Sequence, residues 1–441
     1  MSFDIRAMWE LVGGKAPAHW DFTTLEKLLE NPKSVSVGVM YPGSDTKGGV
    51  PLIKVSDVKN GVLVEKPDFC ISAEVDEEYK RTRLNGTELL ITLVGNPGDC
   101  ILATKEMKGW NVARALAVVR LKNLELREWL RYVLLSRPAK HIIDARLNTT
   151  VQKTLNLKDV KELPIPLPPT SERELITKNI RDIEKKLVLN SQTNQTLEQM
   201  AQAIFKSWFV DFDPVKAKMN GDQPEGMDTA TASLFPEKLV ESEMGLIPAG
   251  WDIATIKDFG SVVCGKTPSK KNADFYGGDV PFIKIPDTHG KVFITETTDT
   301  LTQAGDESQP KKRIPENSVC VSCIATVGQV FITTKPSHTN QQINSVVPHD
   351  ANSLYYLLFK FKGLNKHFHD LASGGSATLN MNTRTFSNVE LVRPTPDVME
   401  AFHKTIGGLM QKILVNQLEN ATLAELRDTL LPKLLSGEIE L

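Results

Sequence analysis

Two stretches of this chain carry an apolar stripe whose spacing alternates between four and three residues. The first runs Ile176, Ile180, Ile183, Leu187 and resumes at Leu197, Ala201 and Ile204. The second runs Phe402, Ile406, Leu409, Ile413 and resumes at Leu423 and Leu430. Such spacing holds the stripe on one narrow side of a helix, the seam of a coiled coil. Polar residues interrupt both stripes at the same place, Asn190 and Asn194 in one, Asn416 and Asn420 in the other, 226 positions apart. A seam asparagine lowers stability but fixes register, since a slip leaves its amide unpaired. Two long antiparallel helices packed on each other account for matching breaks in matching stripes better than two separate surface helices. Each pattern covers roughly 35–40 residues, or about 50–60 Å at 1.5 Å per residue. Ser171 with Glu174, and Asp397 with Glu400, fit capping boxes at the two starts.

Ahead of each stripe the periodicity changes. Leu89–Val94 and Ala115–Val119 are short apolar runs rich in β-formers, with Gly95-Asn96-Pro97-Gly98 between them as turn chemistry. Ser318–Ile324 and Ile343–Val347 are their counterparts, and a short helix follows each set, at Leu126–Leu135 and Ser353–Phe361. Pro-rich closures (Leu163–Pro169 and Val392–Pro396) then lead into the long helices. The pattern predicts an α/β (α+β) chain in five segments. Residues 1–169 form a first mixed unit, 170–215 a central helix, 216–250 a linker with Gly and Pro breakers, 251–396 a second unit and 397–441 a C-terminal helix.

The two units are copies. Val-Pro-Leu-Ile-Lys (50–54) returns as Val-Pro-Phe-Ile-Lys (280–284), Trp20 returns as Trp251, and Gly98 returns as Gly328. A period near 230 is far longer than a solenoid repeat, so a whole domain plus a helix has been duplicated with pseudo-twofold character. At 441 residues, with 41% hydrophobic and 24% charged residues, each copy can bury its own core. The net charge of −2 hides a split: residues 1–150 and 251–395 balance at +2 each, while 151–250 and 396–441 balance at −3 each. Five scattered cysteines fit a reducing cytoplasm, and no run approaches the ~20 apolar residues of a membrane span.

Catalytic signals are sparse. Gly260 to Thr267 fits the G-x4-G-K-T spelling of a phosphate loop, but Pro268 follows at once and no helical period comes after it. The Cys320-x-x-Cys323 pair lacks two further ligands, and His367 with His369 form an isolated alternation. No nucleophile elbow, zinc-protease helix or dinucleotide fingerprint is present.

Residues suited to binding nucleic acid are better supplied. Asn340, Gln341, Gln342 and Asn344 stand where a loop enters a strand, with Asn111 and Arg114 in the equivalent stretch of the first unit. Asn and Gln can pair with adenine edges, and Arg with guanine. Asn96, Asn148, Thr149 and Thr150 in one copy, and Ser376 and Thr378 in the other, offer amide and hydroxyl groups in loops. Basic positions recur at similar places: Lys47, Lys54, Arg81 and Arg83 in the first unit, and Lys266, Lys270, Lys271, Lys284, Lys311, Lys312 and Arg313 in the second, with Thr267 and Ser269 between.

The ensemble resembles the specificity subunit of type I restriction-modification systems. The likeness rests on the repeated Val-Pro-(Leu/Phe)-Ile-Lys segments, Leu163–Pro169 entering a long helix, Ala203–Val215, Gly245–Trp251, the Asn-Gln-Gln-Ile-Asn stretch and Leu426–Gly437. It spans nearly all of the chain. The first unit departs from it, since it lacks the Asn-Gln-Gln run and has Val151-Gln-Lys in place of the Gly-rich stretch. The resemblance implies two target-recognition domains, each reading half of a split, asymmetric double-stranded DNA target. It also implies helices that set the spacing and bind two methyltransferase subunits. The chain would carry no cofactor or catalytic residue. S-adenosylmethionine would belong to the adenine-N6 methyltransferase partner, and ATP and Mg to restriction helicase-nuclease subunits in the same cytoplasmic, membrane-free complex. The alternatives are a DNA-binding enzyme with its own methyltransferase or NTPase activity, and a purely architectural coiled-coil scaffold. ATP or S-adenosylmethionine binding by the isolated chain separates the first alternative, and sequence-selective duplex binding separates the second.

Overall fold

A computed structural model describes residues 4–59, 62–63, 66–147, 153–373 and 379–439. The chain divides into two compact units, residues 1–187 with 423–441, and residues 188–422. Both long helices form: a central helix, Thr170–Phe209, and a C-terminal helix, Pro396–Ser436. Each contributes one end to each unit.

In the first unit a four-stranded antiparallel sheet has the spatial order 35–37, 116–119, 89–92, 100–102. Its central strands, Leu89–Thr92 and Leu116–Val119, are buried at every residue. Alternate side chains serve two cores: Leu89, Ile91, Ala117 and Val119 face the helices, while Leu90, Leu116 and Val118 face a smaller cluster with Ile53 and Val112. A strand covered on both sides needs a continuous apolar run, which is why these segments read without alternation. The helix Leu126–Leu135 covers one side through Leu126, Trp129, Leu130 and Val133, positions that share one helical face. The Trp129 indole N–H donates to Pro166 O at 2.9 Å and ties that helix to the closure strand Pro164–Leu167, itself paired with Asp21–Thr24. Ile176 and Ile180 of the central helix and Leu434 and Leu435 of the C-terminal helix complete this core.

The second unit repeats the scheme. Its main sheet has the order 260–264, 343–348, 319–322, 330–333, 293–294, and its closure strands are 252–255 and 390–393. Tyr356 stands where the first unit has Trp129 and donates its hydroxyl proton to Val392 O, the equivalent carbonyl. Phe205, Trp208 and Phe209 of the central helix and Val398, Phe402 and Ile406 of the C-terminal helix close this core. A second, three-stranded sheet exists in each unit: 70–71, 50–53, 111–112 in the first and 299–301, 276–283, 338–339 in the second.

Several boundaries differ from the sequence reading. The central helix stops at Phe209, because Phe212 takes a left-handed conformation (φ 55°) before a separate helix, Asp213–Met219. Segment 216–250 is ordered rather than a plain linker. It holds the helix Thr229–Ser233 and a hairpin of Leu239–Ser242 with Gly245–Pro248, and Phe235 stacks edge-on against Trp208. The long helices begin at Thr170 and Pro396, so both predicted capping boxes fall inside the first turn. Glu172 instead accepts from the Trp20 indole at 2.9 Å. The first Pro-rich closure contains the strand Pro164–Leu167, and the second starts on the end of the strand Glu390–Arg393.

The seam forms as an antiparallel contact. Asn190 Nδ2 donates to Asn420 Oδ1 at 2.9 Å and to Glu419 Oε2 at 2.8 Å. Asn416 Nδ2 donates to Asn194 Oδ1 at 2.8 Å, and Asn194 Nδ2 to Ile413 O at 3.3 Å. Shifting either pair by 226 residues generates the other. Ile183, Leu187, Leu197, Leu409 and Leu423 are half-buried flanks of this seam. Met410, which the spacing did not select, is fully buried beside Ile406 and Ile413.

Candidate nucleic-acid interface

In each unit one end of the main sheet gathers three loops through the same main-chain bonds. In the first unit Gly38 N donates to Leu116 O (3.1 Å), Val39 N to Val112 O (2.7 Å), Ala113 N to Ile53 O (2.8 Å), Leu116 N to Ala113 O (2.9 Å) and Leu93 N to Ala115 O (2.7 Å). The second unit has Gly265 N to Ile343 O (3.0 Å), Lys266 N to Thr339 O (2.9 Å), Asn340 N to Ile283 O (3.1 Å), Ile343 N to Asn340 O (3.2 Å) and Cys323 N to Gln342 O (2.7 Å). Gly38 and Gly265 are required by the crossing. A Cβ on Gly38 would stand 2.2 Å from Val112 O, and one on Gly265 would stand 2.2 Å from Asn340 O. Strand ends held this way present the residues between them in a fixed backbone geometry.

Below the loops lies a buried polar support, also duplicated. Asp76 is 4% exposed and accepts from Arg83 Nε at 2.7 Å and Asn111 Nδ2 at 2.9 Å. Asp306 accepts from Arg313 at 2.7 Å and faces His338 Nε2 at 2.7 Å. Gln309 Nε2 donates to Lys266 O (2.7 Å) and lies 3.4 Å from His338 Nδ1. An amide nitrogen can only donate, so Nδ1 is the acceptor and the imidazole carries its proton on Nε2, toward Asp306. The Asp76 carboxylate beside Arg83, with Glu77, raises the guanidinium above its ordinary pKa.

The predicted binding residues sort by this geometry. Lys47, Arg81, Asn96, Arg114, Lys266, Ser269, Lys270, Lys271, Lys311, Arg313 and Gln341 are exposed. Asn96 and Arg114, and in the second unit Lys266, Thr267, Gln341 and Gln342, belong to the loops at the sheet end. Thr267 Oγ1 donates to Gln341 Oε1 at 2.7 Å. Others are committed elsewhere. Asn111 has no accessible surface; besides Asp76 its side chain meets the Thr82 hydroxyl at 2.7 Å and Tyr79 O at 3.3 Å, so it braces the sheet instead of reading a base. Asn344 is 2% exposed and accepts from Thr383. Asn340 spends both ends of its amide on Gln342. Arg83 and Arg313 are tied to the buried aspartates. Lys54 lies over the Phe69 ring at 3.9 Å, whereas its equivalent Lys284 is paired with Asp299. Lys312 is half-buried. Asn148, Thr149, Thr150, Ser376 and Thr378 lie outside the described residues.

The phosphate-loop spelling has a different structure. Residues 260–264 are a strand, the N–H groups of Gly265 and Lys266 are bonded to Ile343 O and Thr339 O, and the next element is a single turn at 273–275. Nothing there aims backbone N–H groups at a phosphate. Cys320 and Cys323 are buried in different core clusters, and burial pushes both thiols up to about 12.

Sequence reasoning passed over the two buried aspartates, His338, Gln309 and Gly38, and met Gly265 only within the phosphate-loop spelling. The offset of 230 applied to acidic residues would have found Asp76-x6-Arg83 against Asp306-x6-Arg313. It also passed over Met40 and Tyr41, which are 40% and 76% exposed on the loop that matches Thr267 and Pro268.

Comparison with known proteins agrees with this architecture. The sequence model for the type I restriction modification DNA specificity domain matches residues 44–199 and again 248–427. The type I restriction enzyme HindI specificity subunit of Haemophilus influenzae is 44% identical over 438 residues, covering 88% of this chain and 94% of that protein. The EcoBI specificity subunit of Escherichia coli is 30% identical over 168 residues, 38% of this chain and 35% of that protein. The crystal structure of a type I restriction-modification system S subunit from M. genitalium shares the fold, with a TM-score of 0.56 at 15% identity, covering 94% of this chain and 96% of that one.

Proposed function

We propose, for a chain that belongs to the type I restriction-modification DNA specificity family, that its two units each read one half of a bipartite, asymmetric double-stranded DNA target. The observation that carries this reading is the duplicated main-chain frame. Five equivalent bonds present the two loop sets alike, while their side chains differ: Ala113-Arg114-Ala115 against Asn340-Gln341-Gln342. One geometry with two chemistries suits two half-sites of unlike sequence.

The paired helices act as a spacer, and their asparagine pairs fix its register. Two copies of a methyltransferase subunit bind along them. Leu189 and Val415 are 57% and 44% exposed, and Met200 and Leu426 are 48% and 43% exposed. Each of these pairs is 226 positions apart, so the same apolar feature is offered twice. The chain itself holds no catalytic residue or cofactor. S-adenosylmethionine binds the adenine-N6 methyltransferase partner, and ATP and Mg bind the restriction helicase-nuclease subunits. The complex works in the cytoplasm; among the described residues no helix is long and apolar enough to cross a membrane.

Shortening both helices by two turns in matching places removes about 11 Å, or roughly three base pairs. Methylated adenines mapped in DNA from cells carrying the complete system should then show a shorter spacer with unchanged half-sites. Methylation at the original spacing would overturn the spacer role.

A further inference from the structure

We infer that Arg114 and Gln341 are the same specificity-determining position in the two units, with Arg114 reading a guanine edge in one half-site and Gln341 an adenine edge in the other. The inference rests on the DNA-reading function proposed above and assigns residues within it.

The equivalence follows from the hydrogen bonds. The residue before each, Ala113 or Asn340, is fixed by the carbonyl of Ile53 or Ile283, and the residue after each, Ala115 or Gln342, bonds through its carbonyl to Leu93 N or Cys323 N. Arg114 and Gln341 therefore occupy the crest between two anchored neighbours, and both are exposed. The other polar residues close to them in sequence are less available, Gln342 being half-buried and accepting from Asn340. Asn111 and Asn344 are buried, and Asn340 is occupied with Gln342.

Their own side-chain N–H donors remain free among the described residues. The Arg114 guanidinium makes no hydrogen bond or ion pair among the described residues. Gln341 accepts one proton from Thr267 through Oε1, which orients the amide and leaves Nε2 unengaged among the described residues. An arginine presents parallel donors that match guanine O6 and N7. A glutamine presents one donor and one acceptor that match adenine N7 and N6. A phosphate contact would favour the same cation in both units, yet the crest carries a charge in one and a neutral amide in the other.

The support beneath is rigid. Two residues before Gln341 the chain is held by Lys266 N on Thr339 O, and His338, one further back, is fully buried between Asp306 and Gln309. Asn111 takes that place in the first unit. A reader on such a base discriminates because a wrong base cannot be accommodated by movement of the loop.

The test uses the chain assembled with its methyltransferase partner and a randomised duplex library, scoring methylated sequences. Gln341→Arg should change one base pair of one half-site from A·T to G·C, and leave the other half-site intact. Arg114→Gln should do the reverse in the other half. Gln341→Ala, which adds no new contact, should relax that one position by about 10-fold or more. Equal weakening across all sequences, or an unchanged preference in a variant with parental melting behaviour, would overturn the assignment. A parental complex that shows no sequence preference at all would instead sink the DNA-reading function itself.

Discussion

The two units share a skeleton and differ in what they hang on it, and the differences fall in two unlike places. At the sheet end the skeleton is made of main-chain bonds, so side chains there can change without moving it. Arg114 corresponds to Gln341, and Met40 and Tyr41 correspond to Thr267 and Pro268 in the repeat. In the interior the substitutions are coupled. Trp129 and Tyr356 donate hydrogen bonds to equivalent carbonyls, one through an indole N–H and the other through a hydroxyl. Trp20 donates to Glu172, but the matching residue on the C-terminal helix is Val398, and the Trp251 indole N–H is buried with no partner among the described residues. Variation at the loops is cheap, whereas variation inside leaves a polar group to be satisfied.

The aspartate supports offer the strongest way to break this comparison. Asp306→Ala strips a fully buried His338 of its acceptor and the exposed Arg313 of its partner, so about 2–4 kcal/mol should be lost from the second unit. Asp76→Ala should cost less, because Asn111 keeps the Thr82 hydroxyl and the Tyr79 carbonyl. Hydrogen exchange on residues 338–348 and 111–119 measures each unit separately. Equal losses would contradict the greater dependence of the second unit. Gly38→Ala and Gly265→Ala come next, each forcing a strand crossing apart at a cost of about 1–3 kcal/mol. Here the two units should respond alike, and a marked inequality would mean that the crossings are not equivalent.

Smaller effects separate the tryptophans. Trp251→Phe removes an unsatisfied donor together with some packing, so stability should stay within about 1 kcal/mol of the parent. Trp20→Phe should be more harmful, since it takes a partner from Glu172; parallel urea melts of both variants decide the order. Acid should reveal the same contrast. Hydrogen bonds from Trp20 and His19 hold the Glu172 carboxyl below its ordinary value of 4.5. A lowered folded pKa stabilises the protein above the unfolded value and ceases to do so as pH falls through the folded one. Below pH 4.5, emission from Trp20 should therefore shift while that from Trp251 does not. A shift at Trp251 alone, read in the single-Phe variants, would reverse the comparison.

Much of the architecture was legible because it is periodic. Stripes at three and four residues and paired asparagines specify the long helices and their contact, and a recurrence near 230 specifies two copies. Apolar runs marked the sheet cores, since strands covered on both faces cannot alternate. The site was legible only to the level of loops. Asn111, Asn340 and Asn344 have the chemistry of base readers, yet burial assigns them to bracing, and burial at a strand mouth depends on which distant loop crosses it. Gly265 within a phosphate-loop spelling is the sharpest case. Local spelling cannot show that its N–H is spent on Ile343 O, 78 residues away. The aspartate supports were visible in principle, but only once the two copies had been aligned on acidic positions.

The sharing of helix ends between cores has a consequence in time. The first unit draws Leu434 and Leu435 into its interior, and the second needs nothing beyond residue 422. On a ribosome adding about 5–20 residues per second, the segment up to residue 187 emerges and then waits roughly 12–50 s for those leucines. The N-terminal unit is thus begun first and finished last. Until then its apolar surfaces are exposed to whatever else the nascent chain can reach, including the second copy of its own sequence.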